Sequence, residues 1–181
     1  MENKMPKIYI VAGKARNGKD TTCLLIKEEM EKKGLKVINL SYGSYIKEFA
    51  KKISNWDGND ETKPRTLLQQ LGTDIIRKNI DEDFFIKRLC NDVKVYSYFF
   101  DVITISDARF KREIDIPRGT FPNVIAVNIE RPNFDNGLTE EQRKHPSEID
   151  LDDYANYDFK LENDGDVEDL RKKIVDMIGE K

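Results

Sequence analysis

Short apolar, β-branched runs alternate along the chain with longer stretches in which apolar positions recur every three or four residues. Residues 7–12 (KIYIVA), 36–40 (KVINL), 102–106 (VITIS) and 123–129 (NVIAVNI) read as strands, with 158–162 as a fifth. The first has no polar alternation, as expected of a strand buried on both faces. Helical spacing predicts helices over 19–33, closed by Gly34, and over 44–53, with Ser44 as N-cap. Pro64 is placed to open a third, whose stripe is Leu67, Leu68, Leu71, Ile75 and Ile76. Two more cover 83–93 and 167–178. Residues 55–63 are polar and turn-rich, so Trp56 within them is expected to be exposed or half-buried. Residues 131–153 lack periodicity, which leaves open a mobile flap or an ordinary surface connection. Strands alternating with helices predict an α/β fold with a mostly parallel sheet covered on both sides.

A chain of 181 residues fits one domain, 1–181. Lys+Arg number 31 against Asp+Glu 34, a formal net charge of −3, so no overall positive field favours a nucleic-acid backbone. The most apolar stretch, 95–105, is interrupted by Asp101 and too short to span a bilayer. No signal-peptide core is evident near the start. Cys23 and Cys90 lie far apart in helical segments and read as buried free thiols, because two cysteines and one histidine, His145, cannot build a zinc centre. A reducing cytoplasmic setting is the expectation, with no membrane partner.

The strongest chemical signal is Gly13-Lys14-Ala15-Arg16-Asn17-Gly18-Lys19-Asp20-Thr21, a GxxxxGK sequence where the first strand hands over to the first helix. Its glycines let the backbone curl so that N–H groups face a phosphate chain, and the helix N-terminus adds positive potential. Lys19 supplies a point charge for the β- and γ-phosphates. Asp20 stands where Ser or Thr normally ligates Mg²⁺. A carboxylate is also a hard oxygen donor, although it could instead complement the helix dipole. Thr21 can offer a hydroxyl to the α-phosphate.

GKARNGKDTT, LLQQLGTDII, ISDAR and LENDG together resemble bacteriophage-type deoxynucleoside monophosphate kinases, over a span from Ile8 to about Ile174. The resemblance implies a P-loop NTPase-type three-layer α/β/α fold with a five-stranded parallel sheet, acceptor-binding helices at about 44–93 and a lid at about 131–153. It implies transfer of the γ-phosphoryl group of ATP, with Mg²⁺, to the 5′-phosphate of a deoxynucleotide. In related kinases an aromatic just after the LGTD helix packs on the acceptor base; Phe84 and Phe85 match. Relatives place adenine near a turn such as Asn163-Asp164-Gly165. Animal-type phosphomevalonate kinases share the GKD loop and the SD-x-R stretch, and dephospho-CoA kinases share the architecture, so another small phosphorylated acceptor is the alternative. A nucleotide-triggered NTPase switch is a third reading, against which no NKxD sequence is present.

Transfer between phosphates needs alignment and charge neutralisation more than proton chemistry. The catalytic candidates are therefore Lys19, Arg16 inside the loop, Asp107 and Arg109 beyond the third strand, and Arg131 after the fourth. Asp20 and Asp107 are the metal candidates; Asp107 could alternatively hold Arg109 or cap a helix. The acceptor candidates are Arg65, Gln69, Thr73, Asp74, Arg77, Phe84 and Phe85. Arg65 and Arg77 are twelve apart on one predicted α-helix, about 120° from each other, so one alone would face the acceptor. Arg143 is a further lid candidate. Whether the chain forms a homodimer is left open.

Overall fold

A computed structural model describes residues 5–59 and 61–180. Five parallel strands, β1 (Lys7–Ala12), β2 (Val37–Leu40), β3 (Val102–Ala108), β4 (Val124–Glu130) and β5 (Phe159–Glu162), form one sheet in the order β2-β3-β1-β4-β5. β1 lies at the centre, hydrogen-bonded on both sides, which explains its unbroken apolar sequence. Alternate residues of β1 enter different cores. Ile8, Ile10 and Ala12 face one layer, Tyr9 and Val11 the other.

The Tyr9 layer is closed by α1 (Lys19–Lys32) and α8 (Val167–Gly179), which bring Leu25, Ile26, Met30, Leu170, Ile174 and Met177 against the sheet. Cys23 is buried there and Cys90 in the opposite layer; both are free. Burial raises both thiols, so neither is a ready nucleophile. The opposite layer holds α2 (Gly43–Ser54), α4 (Phe84–Tyr96) and α5 (Arg112–Thr120). Among the described residues no helix is long and apolar enough to cross a membrane.

Several expectations need correction. Ser44 does not cap α2; it lies inside the helix, and its hydroxyl donates to the Ser41 carbonyl. β3 continues past Ser106 to Ala108. α5 has no counterpart in the sequence pattern, because Pro117 and Gly119 break its periodicity. Residues 131–153 carry two single-turn helices, α6 (Glu140–Arg143) and α7 (Pro146–Ile149). Trp56 is only 8% exposed: it packs with Ala50 and Leu71 and donates its indole N–H to Asn59 O at 2.9 Å.

The helix after Pro64 is the largest departure. It begins as α3 (Arg65–Gln69) and continues as a π-helix over Gln70–Arg77. A π turn holds more residues, so each residue advances less around the axis. Ile76 therefore turns into the core while Ile75, expected in the stripe, is 46% exposed. The same change removes the predicted 120° offset, and Arg65 and Arg77 both line one cleft.

Candidate active site

β1 ends at Ala12 and the chain turns at Gly13, with φ 151°. A Cβ there would lie 2.4 Å from the Ile129 carbonyl oxygen, so only glycine lets the loop leave the sheet this close to β4. Arg16 (φ 61°) and Gly18 (φ 102°) complete the curl into α1. Lys19 is buried, and its ammonium donates to the Gly13 and Lys14 carbonyls, each at 2.8 Å. Burial, reinforced by the charge of Arg109, lowers its pKa to about 8, against the opposing pull of Glu148, Asp20 and Asp107. Asn163 braces the loop from the β5 turn, donating to Asn17 O at 3.0 Å. Gly165 lies beyond, outside the left-handed region, where a Cβ would meet the Asp169 carboxylate that serves the N-cap of α8.

The other strand ends converge on this loop, as the carboxyl edge of a parallel sheet directs. Between Ile10 and Ala12 of β1 lie two steps, while the partners Ile105 and Ala108 on β3 are three apart, so β3 bulges at Ser106-Asp107. The bulge aims Asp107 at the start of α2, where its two oxygens accept from the N–H groups of Tyr42 and Gly43, each at 2.8 Å. Asp107 thus acts here as the cap of α2 and does not hold Arg109. Arg109 pairs instead with Glu148 of α7. Asp20 is exposed, and its carboxylate has no hydrogen-bond or ion-pair partner among the described residues. No group of three His, Cys, Asp or Glu side chains among those residues is arranged to hold a metal ion. Mg²⁺ is commonly held by one or two carboxylates plus substrate phosphates, and Asp20 and Asp107, both close enough to act on the Lys19 charge, are of that donor type.

Two cavities meet at the loop. One, of about 270 Å³, is bordered by Tyr42, Gly43 and Ile46 of the α2 region, by Lys63, Arg65, Gln69, Thr73 and Arg77, and by Asp107, Arg109 and Phe110. The other, about 410 Å³, includes Gly13, Lys14, Asn17 and Arg131. Four expected acceptor residues, Arg65, Gln69, Thr73 and Arg77, line the first cavity. Three do not. Asp74 is exposed and paired with Lys78 at 2.7 Å. Phe85 is 1% exposed in the core, and Phe84 packs on Phe85 and Phe49. Apolar residues just after a helix serve a core as readily as a ligand, and here the core has them. Arg131 stacks on Phe134 with its guanidinium 4.0 Å from the ring centre, and Arg16 donates to Asn136 O at 3.0 Å. Arg143 pairs with Asp135 at 2.7 Å and lines neither of these cavities, but a smaller neighbouring one with Lys14 and Glu148.

Two carboxylates escaped the sequence argument. Glu113, 2% exposed, accepts from the N–H groups of Arg109 (2.7 Å) and Phe110 (3.1 Å) and from Arg77 Nη2 (2.8 Å). Burial pushes its pKa up to about 7 despite those donors. Arg77 lies between the rings of Phe85 and Phe110, 4.9 and 4.6 Å from their centres. The second carboxylate is Glu148, whose Oε2 accepts from the Ala15 N–H at 3.2 Å. Its only sequence signal was a place in the unpatterned 131–153 stretch.

The sequence profile of a family described as "Deoxynucleotide monophosphate kinase" matches residues 33–174. The chain is 30% identical over 120 residues to the deoxynucleotide monophosphate kinase of Enterobacteria phage T4, covering 66% of this chain and 46% of that protein. It is 29% identical over 121 residues to that of Escherichia phage RB69, with the same two coverages. The chain therefore spans about half the length of these relatives. Among solved structures, dephospho-CoA kinase from Campylobacter jejuni superposes with a TM-score of 0.54 at 17% identity, covering 98% of each chain. Likeness at that identity speaks for the fold.

Proposed function

This chain belongs to the deoxynucleotide monophosphate kinase family, and from that premise we propose that it transfers the γ-phosphoryl group of ATP to the 5′-phosphate of a deoxynucleoside monophosphate. The observation that carries the proposal is the pair of cavities meeting at one phosphate loop, with Arg109 on the border of both. Two polyanions brought together there require cations and aligned N–H groups, not an acid–base pair.

The Gly13–Thr21 loop would cradle the triphosphate, with adenine toward the Asn163 turn. Lys19 would exchange the carbonyls of Gly13 and Lys14 for phosphate oxygens. Mg²⁺, held by Asp20 and Asp107, would neutralise phosphate charge. Arg109, with Arg16 and Arg131 beyond it, would meet charge on the transferring group. In the other cavity Arg65 and Lys63 would meet the acceptor phosphate, with Gln69 and Thr73 supplying hydrogen bonds. Arg77 already spends its guanidinium on Glu113, Gly72 O and two rings, so it shapes the floor and backs Phe110. Phe110 takes over the base-facing role first expected of Phe84 and Phe85.

A coupled assay for ADP with dGMP, dTMP, dCMP, phosphomevalonate and dephospho-CoA decides the proposal. ADP release with at least one deoxynucleotide supports it. Release only with phosphomevalonate or dephospho-CoA moves the chain to another acceptor, and turnover without any acceptor makes it an NTPase.

A further inference from the structure

The groups best suited to hold a transferred phosphoryl group already hold an anion, and it belongs to the protein. Glu148 Oε2 accepts from the Ala15 N–H within the phosphate loop, and Oε1 pairs with Arg109. The glutamate comes from a segment 133 residues further along the chain. Its side chain is only 9% exposed and that of Arg109 31%, so water screens the pair in part. Three residues, Arg109, Ser147 and Glu148, border both cavities and form the partition between them. The backbone behind Glu148 is fixed by neighbouring contacts. His145 Nδ1 and Ser147 Oγ lie 2.8 Å apart at the start of α7, the Lys111 N–H donates to Asp150 at 2.7 Å, and Lys14 pairs with Asp152 at 2.9 Å.

We propose that Glu148 is a positioning residue that stands in for the phosphoryl group and must be displaced before transfer. Its carboxylate has the charge, size and acceptor geometry of one phosphate edge, and it holds Arg109 at the border where the two substrates would meet. A carboxylate and a phosphoryl group cannot share the Ala15 N–H and the Arg109 guanidinium, because two anions at that separation repel strongly in a partly buried site. A nucleotide entering either cavity pushes on the same side chain. Once one has displaced it, the second no longer meets that cost, so the two substrates bind with positive coupling. This inference rests on the kinase reading and adds a mechanism by which the site responds to both ligands.

The test is calorimetry with a non-hydrolysable ATP analogue plus Mg²⁺, with and without the deoxynucleotide that the coupled assay ranks first. In the unaltered protein each ligand should tighten the other about fivefold or more. In Glu148→Gln, which keeps the shape and removes the charge, each ligand alone should bind about tenfold more tightly, the mutual tightening should largely vanish, and both KM values should fall. Glu148→Asp, which keeps the charge, should stay near the unaltered affinities. A role confined to holding up the fold would move none of these in that direction. Hydrogen exchange needs no variant: amides over 147–151 should exchange faster when magnesium tripolyphosphate is added. Normal nucleotide binding with unchanged or weaker binding in Glu148→Gln, or no change in exchange over 147–151 despite bound tripolyphosphate, overturns the inference and leaves the kinase assignment intact. Failure of the unaltered protein to bind either nucleotide would overturn both.

Discussion

Lys19 carries the sharpest residue-level consequence. Burial holds its pKa at about 8, well under the ordinary lysine value, because the charged form is poorly solvated. A triphosphate beside the ammonium favours the charged form, so nucleotide binding above pH 8 must take up a proton. Affinity should fall by up to about tenfold per pH unit as the pH rises from 8. Calorimetry in two buffers of different ionisation enthalpy measures the uptake directly, and pH-independent affinity between 7 and 9.5 would contradict it. Lys19→Ala should lower transfer by about a thousandfold or more while the thermal melt stays in place. Asp20→Ala should raise the Mg²⁺ concentration for half-maximal analogue binding by about tenfold; an unchanged requirement would assign Asp20 to the helix dipole alone.

At the scale of elements, the close passage of the phosphate loop over β4 fixes one position absolutely. Gly13→Ala would place a Cβ 2.4 Å from a backbone oxygen at a φ that other residues rarely adopt. It should cost about 3 kcal/mol, roughly a 10 °C fall in Tm for a chain this size. Gly119→Ala, in α5 with nothing within 4 Å, is the control and should leave Tm unchanged or slightly higher. The strands and the loop were legible because buried parallel strands write continuous apolar runs and a phosphate turn needs glycine at fixed offsets. The π segment was not, because apolar spacing in LLQQLGTDII fits an α-helix equally well and only packing reveals that Ile76, not Ile75, turns inward. Phe85 misled for a related reason: hydrophobicity does not say whether a ring faces a core or a ligand. Glu113 and Glu148 were invisible, since a carboxylate 36 residues from Arg77, or 133 from Ala15, carries no local signature.

Across the whole molecule two kinds of cohesion meet. The sheet and its two helical layers are held by buried apolar side chains, which salt does not loosen. The connection over 131–153 is held largely by charges and polar caps at its edges. Lys14 pairs with Asp152, Lys111 with Asp153 at 2.7 Å, and Arg143 with Asp135, mostly at positions more than a third exposed. Such pairs contribute about 0–1 kcal/mol each, and screening shortens their reach from about 10 Å at 0.1 M salt to about 3 Å at 1 M. The connection is pinned again at Tyr154, which is buried and donates its hydroxyl to Asp115 at 2.6 Å. Raising NaCl from about 0.1 to 1 M should therefore speed tryptic cleavage after Arg143 and Lys144 several-fold. The same change should leave hydrogen exchange in β1, β3 and β4 unaltered and should not spread past Tyr154. Mass spectrometry of the fragments reads this outcome. Uniform acceleration over the chain, or none within 131–153, would mean that the segment owes its order to packing, and that charge alone could not let it give way to a nucleotide.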